Sequence, residues 1–473
     1  MAERFEAVVV GSGPNGLAAA IEIARAGHSV LVVEAAETVG GGTRTEELTL
    51  PGFHHDVCSA IHPLGVLSPF LRSVPLVERG VEWIEPPLAL AHPLDDGTAA
   101  SLERGLAATA RGLGPDTAAW RGLFEPFARD PHALFSELLK PVRIPRHPFK
   151  MAQFGFHALQ SAERLTGLFQ GEHAKAIFAS CAGHAMMPLE SPGTASFGLV
   201  LAIAAHAVGW PLPRRGSIAI TEALVAELRS LGGEIRTGER VVTLGQLPSS
   251  RAVLFDVMPR TVAGIAGDAL PTSYVEALQR FRHGPGIFKI DWALDGPIPW
   301  TAEPCTRTAT VHVGGSADEI LASERAPHEG RICEKPFVLV VQQSLFDATR
   351  APAGKHTGWA YCHVPNGSTV DMTAAIEAQV ERFAPGFRDR VLARHVMNTV
   401  AVERHNAGFV GGDIGGGENT IFQTLARPFP RWNPYTTPNP RLFLASSATP
   451  PGGGVHGMCG YWAARAALKT AFA

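Results

Sequence analysis

The 473-residue sequence is first narrowed by what it lacks. None of its six cysteines (Cys58, Cys181, Cys305, Cys333, Cys362 and Cys459) forms a CxxC pair. Neither a redox dithiol nor a zinc site therefore has a ligand set, and the thiols read as scattered residues in a reducing compartment. An excess of one charge is missing too: 41 basic residues face 44 acidic ones, a net −3, so nothing attracts nucleic acid. Charged residues are sparse at 18% against 45% hydrophobic, with mean hydropathy +0.08. That balance implies large buried interfaces or a surface that meets something apolar. No run reaches the roughly 18 apolar residues of a membrane span. Arg4 and Glu6 precede a short strand that enters a glycine loop, which does not read as a signal peptide. These absences predict a cytoplasmic protein, soluble or peripherally bound to a membrane. What is plentiful is 50 Gly and 37 Pro, hence many turns, in a chain long enough for two or three domains.

The first turn is the most informative. Ala7-Val8-Val9-Val10 is a short apolar strand suited to the middle of a parallel sheet. Gly11-Ser12-Gly13-Pro14-Asn15-Gly16 follows, then an Ala/Leu/Ile-rich helix from Leu17 to Ala26, and a second strand, Val30 to Val33, ending at Glu34. Gly11 permits the tight turn, Gly13 lets backbone approach a pyrophosphate, and Gly16 lets helix and strand pack closely. The helix N-terminus aims unpaired N–H groups at the phosphates. Glu34, followed by Ala35, stands where a carboxylate accepts ribose hydroxyls and repels a 2′-phosphate. This is a dinucleotide site. A second glycine turn, Gly40-Gly41-Gly42-Thr43-Arg44-Thr45, comes only a few residues later and can bring Arg44 and backbone N–H groups onto the same pyrophosphate. That second turn favours FAD over NAD.

The far end repeats the pattern. Arg441 to Ser447 reads as a buried strand, Pro450 to Met458 (PPGGGVHGM) as a glycine turn, and Cys459 to Ala471 as a helix. Both ends of the chain are thus expected to build one site. A helix starting near Gly457 points its positive end at a ligand that becomes anionic, as the N1–C2=O edge of a reduced flavin does.

Taken with the turn from Gly40 to Phe53, Pro213 to Gly216, Phe288 to Trp300 and Gly411 to Ile414, these stretches resemble the phytoene desaturase and carotenoid isomerase family of FAD oxidoreductases. The likeness is greatest to its branch called pyridine nucleotide-disulfide oxidoreductase domain-containing protein 2. The resemblance implies that Gly11, Ser12, Gly13, Pro14, Asn15 and Gly16 line the diphosphate with Gly41, Gly42, Thr43 and Arg44, while Glu34 and Ala35 meet the ribose. It implies a backbone contact of Val241 with adenine, and of Ser447, Gly454, Val455, His456 and Met458 with the ribityl chain and ring. One departure stands out: the family's longer β-meander is replaced by Gly245 to Arg251 alone.

The fold this implies is α/β, or α+β overall. A discontinuous Rossmann-like FAD-binding domain (1–75, 212–286 and 433–473) is interrupted by a substrate domain of the amine oxidase/phytoene desaturase kind. Its helical part would span 76–211, with Pro breaks at Pro126, Pro131, Pro141, Pro145 and Pro148. Its β-sheet part would span 287–432, with strands at 288–294, 308–313, 337–342 and 358–363 and an amphipathic helix at 373–383. Gly411 to Gly417 reads as a loop, so no separate NAD(P)H domain is expected. The electron partner is then oxygen or a quinone, unless the reaction is redox-neutral.

Ala195 to Trp210 is apolar all round, either plain core or the wall of an apolar substrate tunnel. Residues 140–156 interleave Lys140, Arg143, Arg146 and Lys150 with Phe149, Met151, Phe154 and Phe156, either a solvated helix edge or a patch for peripheral membrane contact. His54, His55, Asp56 and His62 follow the second glycine turn, and His456 lies in the C-terminal one. A histidine of near-neutral pKa can move protons there, which makes His456 and His55 the catalytic candidates. No Ser-His-Asp or metal-ligand spacing is present, and no metal is expected. The expected substrate is a hydrophobic polyene, isoprenoid or lipid-like molecule changed at a carbon–carbon bond. Two other readings remain open. One is an amine-oxidase-type enzyme using Lys289 with Tyr461 and Trp462; the other is a flavin-bound interaction protein with little turnover.

Overall fold

The computed structural model describes residues 4–473. Five short strands form a wholly parallel sheet. Ala7–Val10 is central, flanked by Val30–Val33 and Ala252–Phe255, with Glu234–Arg236 and Leu442–Leu444 outside them. Every residue of the three inner strands is buried, because helices cover both faces of the sheet. Its strands come from three distant stretches of sequence.

Helix Pro14–Arg25 starts with Pro14, whose missing N–H costs nothing in a first turn. It packs against the C-terminal helix Met458–Thr470 almost backbone to backbone: a Cβ on Gly460 would lie 1.7 Å from the Asn15 carbonyl oxygen. The first and last helices of the nucleotide unit are thereby fixed to each other.

A second, seven-stranded sheet runs in the order 391–397, 286–294, 356–364, 338–341, 310–313, 90–93, 99–102. It is antiparallel except where 310–313 meets 90–93. Its outer face is apolar: Phe288, Ile290, Trp292, Val311, Val338 and Ala360 join Ile376, Val380 and Phe383 of helix Thr373–Phe383 in one core. Helices of the 117–208 stretch lie over the other face. The chain is therefore an α/β protein with a Rossmann-like unit and a sheet-rich second unit.

The sequence and the structure differ in instructive places. The stretch from 76 to 211 is not only helical, since Leu90–Pro93 and Ala99–Leu102 form a hairpin in the large sheet. Its turn, with Gly97 at φ +83° and Leu94 N–H bonded to the Thr98 carbonyl, is an Asp-Gly hairpin signal that the surrounding helices mask. Val391–Met397 is a further strand, on the sheet edge, with alternate residues exposed. The prolines act differently from one another. Pro131 and Pro148 open helices, whereas Pro126 sits inside helix Thr117–Ala128, two residues from its end. The glycine-rich loop 411–417 is organised by buried Asp413, whose carboxylate accepts N–H groups of Gly284, Gly415 and Gly417 at 2.8–3.0 Å.

Candidate active site

All five parallel strands point their carboxyl ends at one edge, where ligands bind in open α/β sheets. Gly11, Glu34, Asp256 and Ser446 follow four of those ends directly or within two residues, and all line one cavity of about 1110 Å³. At Gly16 a Cβ would come within 2.1 Å of the Gly11 carbonyl oxygen, and at Gly13 within 2.8 Å of an Asp256 carboxylate oxygen. At Gly16 only glycine fits, whereas at Gly13 the Asp256 side chain would have to move aside. Glu34 Oε2 accepts the Ser12 N–H (2.9 Å) and hydroxyl (2.6 Å), and Oε1 accepts the Ala36 N–H (2.8 Å). A carboxylate has about four acceptor sites, so capacity remains for a ligand hydroxyl.

The two N-terminal glycine turns touch. Gly40 N–H donates to the Ser12 carbonyl at 3.1 Å, and a Cβ on Gly41 would lie 3.1 Å from Gly13 Cα. Arg44 is brought over this junction and is buried, donating to the carbonyls of His405 and Thr38 at 3.1 Å with its Nε left without a protein partner. Gly454 (φ +118°) and Gly457 (φ +68°) curl the C-terminal turn against the same cavity. There His456 Nδ1 accepts the Met458 N–H at 3.0 Å, which leaves the hydrogen of the neutral ring on Nε2.

Beyond this groove the cavity widens into an apolar chamber. Phe197, Val200 and Leu201 form one wall and Trp210, Leu339, Val341, Trp359 and Tyr361 others. Helix Ala195–Val208 is thus core on one side, through Leu199, Ala202 and Ile203, and chamber wall on the other. Past the nucleotide groove the one lining acid is Glu137, which is ion-paired with Lys140.

Residues 9–73 match the family described as NAD(P)-binding Rossmann-like domain. Across 98% of its length the chain is 25% identical to pyridine nucleotide-disulfide oxidoreductase domain-containing protein 2 of Mus musculus, covering 93% of that protein. It is also 25% identical to the phytoene dehydrogenase of Streptomyces griseus, over 95% of this chain and 92% of that one. Putrescine oxidase bound to putrescine shares the fold, with TM-score 0.62 at 16% identity over 98% of each chain. The chain is an FAD-type oxidoreductase. The word disulfide in the mouse protein's name has no counterpart here, for all six thiols are free.

The residues present fit FAD. Of the sequence-derived contacts, Gly11, Ser12, Gly13, Pro14, Asn15, Glu34, Ala35, Gly41, Gly42, Arg44, Val241, Ser447, Gly454, Val455 and His456 line the cavity. Glu34 and Val241 would take the adenosine end, the touching glycine turns and Arg44 the diphosphate, and Ser447 with Gly454 to His456 the flavin end. Three others stand just behind the wall. Gly16 sits under the first turn, the Thr43 hydroxyl is bonded to the Gly40 carbonyl and to Thr221, and Met458 is core. The missing meander leaves only a single turn, Leu244–Gln246, closed by a Thr243/Gln246 capping box.

The two candidate bases look different in place. Burial pushes the His456 pKa down to about 4, so the flavoprotein presents a neutral N–H donor there, not a proton shuttle of near-neutral pKa. His55 does not line the cavity. Its Nε2 lies 2.8 Å from the Thr49 hydroxyl and its Nδ1 3.6 Å from Asp291, and burial lowers its pKa to about 4 as well. Lys289 is ion-paired with Asp291 and stacks over Trp359 at 5.5 Å, outside the cavity lining. Tyr461 and Trp462 lie on the C-terminal helix, also outside that lining, with the Trp462 ring N–H held by the Leu139 carbonyl.

Sequence reasoning missed two site residues. Asp256 accepts the Gly16 N–H at 2.7 Å, and burial, with the nearby Glu34 charge, raises its pKa to about 8. Its signal was an acid directly after the strand Ala252–Phe255, the same position Glu34 holds after its own strand. Arg427, fully buried, ties the carbonyls of Gly416 and Ser447 (3.0 and 3.1 Å) to the Asn419 side chain (2.5 Å). Nothing local in the sequence marks it.

Proposed function

We propose that this flavoprotein changes a carbon–carbon bond of a hydrophobic polyene, isoprenoid or lipid-like substrate by desaturation, saturation or isomerisation, with oxygen or a quinone accepting the two electrons of desaturation and a reduced donor such as a quinol supplying those of saturation. The observation that carries this reading is the chamber: apolar and aromatic, continuous with the nucleotide groove, and free of any unpaired acid. Ligand pockets usually occupy roughly 300–1,000 Å³, so about 1110 Å³ leaves room for a second molecule beside a dinucleotide. Bound FAD would supply the hydride chemistry. The chain's part is to hold the reacting bond, for which Trp359 and Tyr361, packed edge to face with ring centres 5.3 Å apart, offer an aromatic wall. The apolar walls exclude water. Because a conjugated cation needs no strong base, the neutral state of His456 is compatible with this chemistry.

The chamber mouth supports entry from a lipid surface. Val142, Leu159 and Leu425 both line the cavity and stand exposed, and Ile144 (93%) and Phe149 (90%) project beside them near exposed Arg143 and Arg146, while Lys140 and Lys150 are held by Glu137 and Asp130. Basic heads around apolar tips suit the interface of an anionic bilayer. Among the described residues no helix is long and apolar enough to cross a membrane.

The deciding experiment mixes the oxidised holoprotein anaerobically with polyenes, isoprenoids and amines and follows flavin absorbance. Bleaching by a polyene or isoprenoid supports the proposal. Bleaching by amines alone, with peroxide released on aeration, would replace it with an amine-oxidase activity.

A further inference from the structure

Strand residues alternate faces, so the register of the large sheet states which side chains share its inner side. Two cross-strand rows point inward. One runs Thr310, Val341, Trp359, Asp291, His395; the other runs His312, Leu339, Tyr361, Lys289, Met397. The outer face is apolar through its centre, with Arg394, His356 and Ser101 only at its margins, whereas each inner row carries polar groups at intervals. Lys289 and Asp291 neutralise each other, and His55 and His395 lie within 3.6 Å of Asp291. That half is held by its ion pair and does not reach the cavity lining.

The other half does reach that lining. Thr310 is buried, lines the chamber, and its hydroxyl has no protein partner. Facing the same space is His184, whose Nε2 lies 3.2 Å from Nε2 of buried His312. Burial drives the His184 pKa down to about 3 and holds that of His312 well below the usual imidazole range, so both rings are neutral. Between two neutral imidazoles one nitrogen donates and the other accepts, and exchanging those roles exchanges the character of the outer nitrogens. The turn carrying His184 is held firmly: the Asn419 amide donates to the Ala185 carbonyl at 3.0 Å, and Met186 adopts φ +52°. A hydroxyl desolvated without a partner is unfavourable unless something completes it.

We infer that Thr310 and His184 form a subsite for a neutral oxygen function, a hydroxyl or carbonyl, borne by the otherwise apolar substrate. This rests on the proposed apolar substrate and makes it more specific: an isoprenoid or lipid alcohol, aldehyde or ketone in place of a pure hydrocarbon. A carboxylate is disfavoured, because neither the Thr310 hydroxyl nor the neutral His184 ring supplies a positive charge to balance it. The pairing of His184 with His312 lets the same site serve as donor to a carbonyl or acceptor from an alcohol.

The test titrates the holoprotein with farnesol, farnesal and the hydrocarbon farnesene, matched in carbon number, and reads perturbation of the flavin spectrum. The oxygenated probes are expected to bind about three- to tenfold tighter than farnesene, the size of one net hydrogen bond. Thr310→Val, which keeps the shape, and separately His184→Phe should reduce the preference for the oxygenated probes over farnesene. Equal binding of all three probes, or a preference that survives both substitutions, overturns the subsite but leaves the apolar-substrate reading standing. Absence of any perturbation by all three overturns both. Farnesoic acid binding tightest would overturn the neutral character assigned here.

Discussion

A valine at position 13 would press on the Asp256 carboxylate, 2.8 Å from the first added carbon, and crowd the groove that Gly13 lines. Gly13→Val is therefore expected to yield protein without flavin colour, checked by its visible spectrum after purification. Asp256 leads to a subtler expectation. Its pKa of about 8 means that it faces the diphosphate as a neutral acid at pH 7 and as an added negative charge above pH 8. FAD affinity should fall as pH rises through that value, by up to about tenfold per unit for one linked proton. Asp256→Asn should flatten the dependence, as read by fluorescence titration from pH 6 to 9. A wild-type affinity independent of pH would contradict this assignment. The two residues also show what sequence can disclose. Gly13 is legible because it falls in a glycine loop between an apolar strand and a helix. Asp256 is not, since its partner Gly16 lies 240 residues away and only the sheet order brings them together.

Among elements, the contact between the first and last helices is the tightest. Gly460→Ala should destabilise the fold by about 1–3 kcal/mol or more, because a methyl group must displace main chain at Asn15. A lowered melting temperature with loosened flavin is the expected result, and an unchanged melting temperature would refute the packing argument. Four strands of the nucleotide unit are readable from continuous apolar runs, the mark of a sheet covered on both faces, but the edge strand Glu234–Arg236, with one apolar residue, is not. The inner face of the large sheet was not. Its polar residues, Thr310, His312, Lys289 and Asp291, interrupt the apolar runs, so composition alone hides that one side is core and the other a chamber floor. The helix at 195–208 was read with both of its possible roles, and it fills both.

For the molecule as a whole, burial of uncharged imidazoles sets an acid limit. His62, His92, His206 and His456 have pKa values near 4, and His184 near 3, against 6.5 when exposed, each lowered chiefly by burial. Between those values the unfolded chain binds more protons than the folded one, so stability is complete above pH 6.5 and declines as pH falls toward 4. Thermal melts across that window should show uptake of several protons on unfolding; a flat profile would argue against the burial. The apolar mouth predicts that the protein floats with vesicles containing anionic phosphatidylserine and not with neutral ones, and that Ile144→Glu with Phe149→Glu abolishes flotation. Finally, the fifth strand and the flavin-side turn come from residues 442–457, while the rest of the nucleotide sheet is complete by Phe255. On the ribosome, a half-built cradle must therefore wait through nearly two hundred further residues. Saturation with cofactor becomes a post-synthetic event, and a chain shortened before Leu442 should emerge as a substrate for cellular proteases.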